Sequence, residues 1–360
     1  MNVLYISHLS NKVASGLNWS VPASVDAQSK IDNVLWVDLN DAFLPHWGNV
    51  KAYHNIKEYG NLKLENLPAP FSHPDVVVFE GFYEPKDCFF AKVLRKKHIP
   101  YIIVPRCSLT HQALNNHSKL KKKIAHFFLF DSFAHHAAAI QYLTPKEYED
   151  SSDKWNSNHL IIPNGFTLPD KCKGNFTVGG LKAIFIGRLD MYQKGLDILL
   201  EVIFKCKRKL LEANFSLVLY GPEMHDYHKI AQYIHTNDLD AIVSLGGEIF
   251  GEKKEQAILE ADVMVMASRF EGLPMALLES MAYGLPCLVS EGTNMAEEVA
   301  KAGAGWCCDS SLESLEKALM KMIDERVSLK QKGEHAALLA KQYDWNVIAQ
   351  NFHNQLAALL

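Results

Sequence analysis

What most restricts this chain is a pattern running from Val3 to Cys308, in which short, wholly apolar runs rich in β-branched residues are each followed by a stretch of helical character. A strand that is apolar throughout must be covered on both faces. That is the condition of a parallel sheet clothed by its crossover helices. The runs predict strands at Val3–Ser7, Val34–Leu39, Val76–Glu80, Ile102–Pro105, Ile140–Leu143 and Leu160–Pro163, with helices around Ser20–Lys30, Lys86–Lys97 and Lys119–His136. The theme then repeats, with strands at Ala183–Gly187, Leu217–Gly221, Val243–Gly246, Val263–Ala267, Cys287–Ser290 and Trp306–Cys308. Helices are expected between them at Gly195–Leu211, His228–His235, Lys254–Glu260, Pro274–Tyr283 and Ala296–Ala302, and then at Leu312–Ile323.

A chain of 360 residues exceeds the size at which one core keeps growing. The expected fold class is therefore α/β, with two Rossmann-like doubly wound domains in series. The break falls in IIPNGFTLPDKCKGNFTVGG, which is dense in proline and glycine. Residues 1–165 and 166–342 are expected to form the two domains, and the amphipathic segment 343–360 to cross back onto the first.

Composition narrows the class. With 48% hydrophobic and 22% charged residues and a net charge of −4, the chain reads as an ordinary soluble protein, and nucleic acid is not an expected partner. No apolar run approaches the length of a membrane span. The sequence opens on strand-like MNVLYISH rather than a secretory signal. Seven scattered cysteines, an odd number, suggest free thiols in a reducing compartment, so a cytoplasmic location is expected.

The chemistry concentrates in SRFEGLPMALLESMAYGLPCLVS, from Ser268 to Ser290. A strand runs into a loop holding Glu271, Gly272 and Leu273, then Pro274 and an Ala/Leu/Met helix. Backbone amides of Met275, Ala276 and Leu277 are left to face a ligand, and the helix dipole favours an anion there. Glu271 precedes this end and Glu279 lies about a turn and a half inside. A ligand with a central diphosphate, neutral hydroxyls on one side and a ribose on the other suits the arrangement. The plainer reading is that acidic residues near a helix start simply stabilise it. Upstream, KAIFIGRLDMYQKG places Gly187, Arg188 and Lys194 at the carboxyl end of a strand, where a planar fork and a point charge suit a diphosphate, or are two solvated surface charges.

Taken together, these segments are similar to the retaining glycosyltransferases of family four, whose two Rossmann-like domains face each other across a cleft (the GT-B architecture). The likeness covers SGLNWS, IIPNGF, IGRLDMYQKG, LVLYGP, SLGGEI and FEGLPMALLES, the last carrying the Glu-x7-Glu signature at Glu271 and Glu279. It implies metal-independent transfer of a hexosyl group from a nucleotide diphosphate sugar, UDP- or GDP-linked, to a hydroxyl of a glycan or lipid-linked glycan, in surface polysaccharide synthesis. No separate cofactor is implied. By the same likeness Arg188 and Lys194 grip the donor diphosphate, Glu271 holds the sugar hydroxyls and Glu279 the ribose. Met275 and Ala276 complete the phosphate cradle, Ile249 and Lys254 lie near the base, and Gly16 lets phosphate or acceptor approach the backbone. VPRCSLTHQAL resembles the family's Pro-Arg-Gly loop, with Cys107 in place of the glycine, and makes Arg106 and His111 candidates for the acceptor side. A front-face mechanism with retention is the family expectation.

Two other readings stay open: a nucleotide-sugar epimerase of the same architecture, and a nucleotide-sugar-binding protein without turnover. Asp238 and Asp240 form an Asp-x-Asp but sit in a polar helix-to-strand turn, GGEIFGEK lacks the Ser or Thr of a P-loop, and Gly303–Gly305 precedes a strand instead of following one. From Cys88 to Phe130 there are nine Lys/Arg and no acidic residue. Within it Lys119, Lys121, Lys122 and Lys123 run into Ile124 and Phe127–Phe130, either a solvated face over core aromatics or a surface that docks peripherally on anionic lipid at the inner membrane face.

Overall fold

The computed structural model describes residues 1–11, 16–40, 42–106, 108–109, 129–151, 155–224 and 226–360. It divides into two compact units, Met1–Gly165 with Trp345–Leu360, and Phe166–Asp344. The elements in chain order are β1 (Asn2–Ser7), α1 (Leu17–Gln28), β2 (Asn33–Asp38), β3 (Tyr53–Asn55), β4 (Val76–Glu80), α2 (Pro85–Lys96), β5 (Tyr101–Val104), α3 (Asp131–His135), β6 (Ala139–Tyr142), α4 (Pro145–Ser151) and β7 (His159–Ile161). In the second unit follow β8 (Leu181–Ile186), α5 (Leu196–Glu212), β9 (Phe215–Tyr220), α6 (Tyr227–Thr236), β10 (Val243–Gly247), α7 (Gly251–Glu260), β11 (Val263–Met266) and α8 (Met275–Ala282). It continues with β12 (Cys287–Ser290), α9 (Ala296–Ala302), β13 (Gly305–Cys308), α10 (Leu312–Asp324) and α11 (Leu329–Ala340), after which α12 (Trp345–Leu359) rejoins the first unit.

Both sheets are parallel and doubly wound. The first has the order β3-β2-β1-β4-β5-β6-β7, with Val3 beside Val34 on one side and Val76 on the other. The second has the order β10-β9-β8-β11-β12-β13. In each, strand order reverses at one place, between β1 and β4 or between β8 and β11, and in such sheets ligands bind at the carboxyl ends beside that switch. Apolar residues feed alternate faces, which is why these strands read as continuous hydrophobic runs. Leu4, Ile6, Val77 and Phe79 join one buried cluster of the first unit, whereas Val3, Tyr5, Val76 and Val78 join the other. That second face is closed by α12, whose Trp345, Ile348, Phe352 and Leu356 pack into it alongside Val21 and Val25 of α1.

The expectation of two Rossmann-like domains therefore holds, and the differences are local. The edge strand β3, the helix α4 and the helix α11 have no counterpart in the sequence reading. α1 begins at Leu17, ahead of the expected Ser20. Of the helix expected at Lys119–His136, residues 129–136 fall in the described residues, and there the helix runs from Asp131 to His135. Cys107, His111, Lys119, Lys121, Lys122 and Lys123 lie outside them. Among the described residues no helix is long and apolar enough to cross a membrane.

Candidate functional site in the second unit

The switch in the second sheet brings two loops together, one leaving β8 and one leaving β11. The first carries Arg188 and Lys194, the second Glu271. Lys194 is nearly buried and its Nζ donates to Glu271 Oε1 at 2.5 Å; the two side chains are 11% and 9% exposed. Ser268 Oγ donates to the same carboxylate oxygen at 2.6 Å. Arg188 is exposed, with Nη2 donating to Gln193 Oε1 at 2.7 Å. One cation is thus pinned inside the loop pair and the other reaches outward.

Close backbone approach makes this possible. Gly195 has φ +62°, and a Cβ there would lie 1.9 Å from the Ala267 carbonyl oxygen. Only glycine lets the start of α5 press against the end of β11. Gly187 is also confined, since a Cβ would meet the Phe185 ring at 3.1 Å and Lys194 Cε at 3.8 Å. Gly16, by contrast, has φ −57° and open space around a notional Cβ, so nothing in the described chain itself demands glycine there.

Arg269, which the sequence reading passed over, fastens the two loops. Its guanidinium makes a fork of bonds to Asp197 at 2.7 and 2.8 Å, donates to the Tyr192 carbonyl at 2.7 Å and stacks on the Tyr192 ring at 4.5 Å. Its amide donates to the Gln193 carbonyl at 2.9 Å. From the next loop Asn294 Nδ2 donates to the carbonyls of Glu271 and Gly272, the latter at 3.1 Å. A fixed geometry of this kind is what a binding site needs from its supporting residues.

At the start of α8, Pro274 precedes the first turn and no side chain caps it. Leu277 N–H turns back to the Pro274 carbonyl at 3.0 Å, so its amide is spent, contrary to the expectation of three amides facing a ligand. Met275 and Ala276, both half-buried, are the amides left in position. Glu279, a turn further on, is bonded by Lys254 Nζ from α7, and Ile249 lies half-buried just ahead of that helix, beside the exposed ring of Phe250. The predicted donor-side residues thus fall into two acid–base pairs, Lys194 with Glu271 and Lys254 with Glu279. Asp238 and Asp240 sit in the turn after α6, where Asp238 adopts φ +49°.

In the first unit Arg106, with φ +51°, binds Glu80 through Nε and Nη2, both at 2.9 Å, and its Nη1 donates to Asn164 Oδ1. Both side chains are buried, so Arg106 joins the ends of β4, β5 and β7 instead of presenting its fork to solvent. Burial pushes the Glu80 carboxyl up despite the arginine. Nearby, His8 Nε2 donates to Asp87 Oδ1 at 2.8 Å, with Glu84 3.8 Å from Nδ1. Burial acts to lower the His8 pKa, but the bond to Asp87 and the charges of Asp87, Glu84 and Asp38 outweigh it and raise it.

Cations and helix-start amides at the switch of a doubly wound sheet are the kind of groups that can hold an anion. Residues 170–338 match the family model of glycosyl transferases group 1. An uncharacterized glycosyltransferase of Haemophilus influenzae is 26% identical over 209 residues, a match covering 56% of this chain and 56% of that protein, so little more than half of the relative is spanned. Among solved structures, Anabaena Alr3699/HepE in complex with UDP has a TM-score of 0.72 at 16% identity, covering 99% of this chain and 100% of that one. The apo form of the lipopolysaccharide outer core galactosyltransferase WaaB gives 0.71 at 16% identity, covering 100% of both chains. The chain therefore has the fold of GT-B glycosyltransferases, and the stretch that matches the group 1 model, residues 170–338, lies within its second unit.

Proposed function

We propose that this protein is a retaining glycosyltransferase that moves a hexosyl group from a UDP- or GDP-linked sugar to a hydroxyl of a glycan or lipid-linked glycan acceptor. The observation that carries the reading is the convergence of Lys194, Arg188, Glu271 and the first amides of α8 at the switch of a sheet whose domain matches the group 1 family. The diphosphate lies across the α8 amides and takes Lys194 and Arg188 as counter-charges, so no metal is required. Glu271, released from Lys194, accepts from sugar hydroxyls, and Glu279, released from Lys254, from the ribose. The bond from the anomeric carbon to the phosphate oxygen breaks with its electron pair going to the diphosphate. The acceptor oxygen bonds the same face, and its proton passes to the departing phosphate. The chain's share is positioning and electrostatic stabilisation of that leaving group.

The reaction is placed in the cytoplasm, in surface polysaccharide synthesis, where lipopolysaccharide and amylovoran glycosyltransferases are among the relatives by name. The basic segment Cys88–Phe130 is assigned to peripheral contact with the inner membrane face. That assignment fails if the protein does not sediment with anionic vesicles at low salt.

Titration calorimetry and thermal melting with UDP, GDP and their glucose, galactose and mannose conjugates test the donor reading. A nucleotide at a hundred times its dissociation constant raises stability by about 2.7 kcal/mol. Binding and nucleotide release are expected to persist in excess EDTA. No response to any of these nucleotides overturns the proposal.

A further inference from the structure

At the carboxyl ends of β1 and β2 the first unit exposes two aromatic rings, Trp19 at 53% and Phe43 at 55%. They are held firmly. Trp19 lies flat on His46, ring centroids 4.0 Å apart and planes 4° from parallel. His46 Nε2 donates to the Asn18 carbonyl at 2.8 Å, and the indole N–H of Trp47 donates to the same oxygen at 2.9 Å. Phe43 rests edge-on against Trp47 at 6.4 Å and tilted against Tyr53 at 5.9 Å, while its amide donates to Asn11 Oδ1 at 3.0 Å. Beneath them Trp36 and Trp47 are fully buried.

The charge around the rings says what suits them. Gly16–Val25 and Ala42–Val50, the segments that carry both, contain no Asp, Glu, Lys or Arg. Asn11, whose Oδ1 accepts from the Phe43 amide, and Asn40, whose Nδ2 donates to the Leu9 carbonyl, are exposed and end in neutral amides. A phosphate or an anionic lipid surface finds no counter-charge on these segments, whereas the basic residues of the chain gather elsewhere, in Cys88–Phe130. An uncharged sugar ring is the complement: its apolar C–H face covers an aromatic ring and its hydroxyls reach amide donors and acceptors. The edge is also the right one, because doubly wound sheets bind ligands at their strands' carboxyl ends.

We infer that Trp19 and Phe43 form a sugar-binding subsite for an uncharged acceptor glycan. This rests on the glycosyltransferase reading, in which the nucleotide belongs to the second unit and the acceptor needs a surface of its own.

Saturation-transfer NMR on the full chain tests it, with methyl glycosides of glucose, galactose, mannose and N-acetylglucosamine, and with lactose, maltose and chitobiose as probes. Transfer to the C–H face of at least one probe is expected in the wild type. Affinity should fall about tenfold in Trp19→Ala and in Phe43→Ala and return in Trp19→Phe, while UDP and GDP affinity stays unchanged. Both rings are exposed, so folding should survive, and the nucleotide titration verifies this. Absence of transfer from every probe in the wild type, or equal transfer in the double Trp19→Ala/Phe43→Ala variant, overturns the inference. So does a double variant that loses only vesicle binding, marking a lipid surface, or only self-association, marking contact between copies. If nucleotide binding itself is absent, the donor reading has failed instead.

Discussion

Replacing Glu271 by glutamine separates the two tasks assigned to that carboxylate. In the structure it neutralises Lys194 at 2.5 Å in a setting where both side chains are about nine-tenths buried. Glutamine keeps an acceptor oxygen for Lys194 and Ser268 but loses the charge. A hydrogen bond to a charged group contributes about 1.5–3 kcal/mol and a neutral one about 1, so the variant should lose about 1 kcal/mol. For a domain of this size that is a fall of about 2–4 °C in its melting transition. Nucleoside diphosphate no longer has to displace a carboxylate from Lys194, so UDP or GDP affinity by calorimetry should hold or rise by a few fold. Turnover of the sugar donor should drop about a hundredfold or more, roughly 2.7 kcal/mol of transition-state stabilisation. A parallel loss of nucleotide affinity and turnover would refute the assignment of Glu271 to the sugar.

Arg269→Ala unfastens the loops that present Lys194 and Glu271. Because Asp197 is 39% exposed the stability cost should be small, about 1 kcal/mol or less, yet diphosphate affinity should fall tenfold or more through misplacement, and Arg269→Lys should not restore the fork. Unchanged calorimetric affinity in Arg269→Ala would reduce the contact to surface decoration. Leu356 is fully buried in α12, so Leu356→Ala should destabilise the first unit by about 2–5 kcal/mol and leave nucleotide binding intact; a single shifted transition with lost binding would contradict that separation. Because the folded pKa of His8 is raised above its ordinary value near 6.5, the stabilisation it supplies is complete below about pH 6.5 and fades as pH rises through the folded value. The His8→Gln variant should flatten that decline in melting temperature between neutral and alkaline pH, and an unaltered slope would assign the dependence to another group.

The strands were legible because burial on both faces leaves an uninterrupted apolar signature, as in Val76–Val78. The elements missed lack it: β3 is three residues, Tyr-His-Asn, and α4 reads PKEYEDS with no apolar period. α11 contains Gly333, which reads as a helix breaker, yet a Cβ there would lie 2.3 Å from the Gly284 carbonyl oxygen, so α8 and α11 approach closely because it is glycine. In the site, residue types at strand ends were visible, but partners were not. Lys194 and Glu271 are separated by 77 positions, and only the order β8-β11 makes them neighbours. Arg269 looked like any cation in a loop, because its function depends on Asp197 and Tyr192 from across that same junction.

The return of α12 to the first unit sets a timetable for biosynthesis. Its Trp345, Ile348, Phe352 and Leu356 complete an apolar face whose other members include Val3, Tyr5, Val21 and Val25, all far upstream of it in the sequence. The second unit is contiguous, Phe166–Asp344, and can close while translation continues. The first cannot. Its second apolar face cannot be covered until the intervening residues of the second unit have been made, so the unit that starts first in the sequence is completed last.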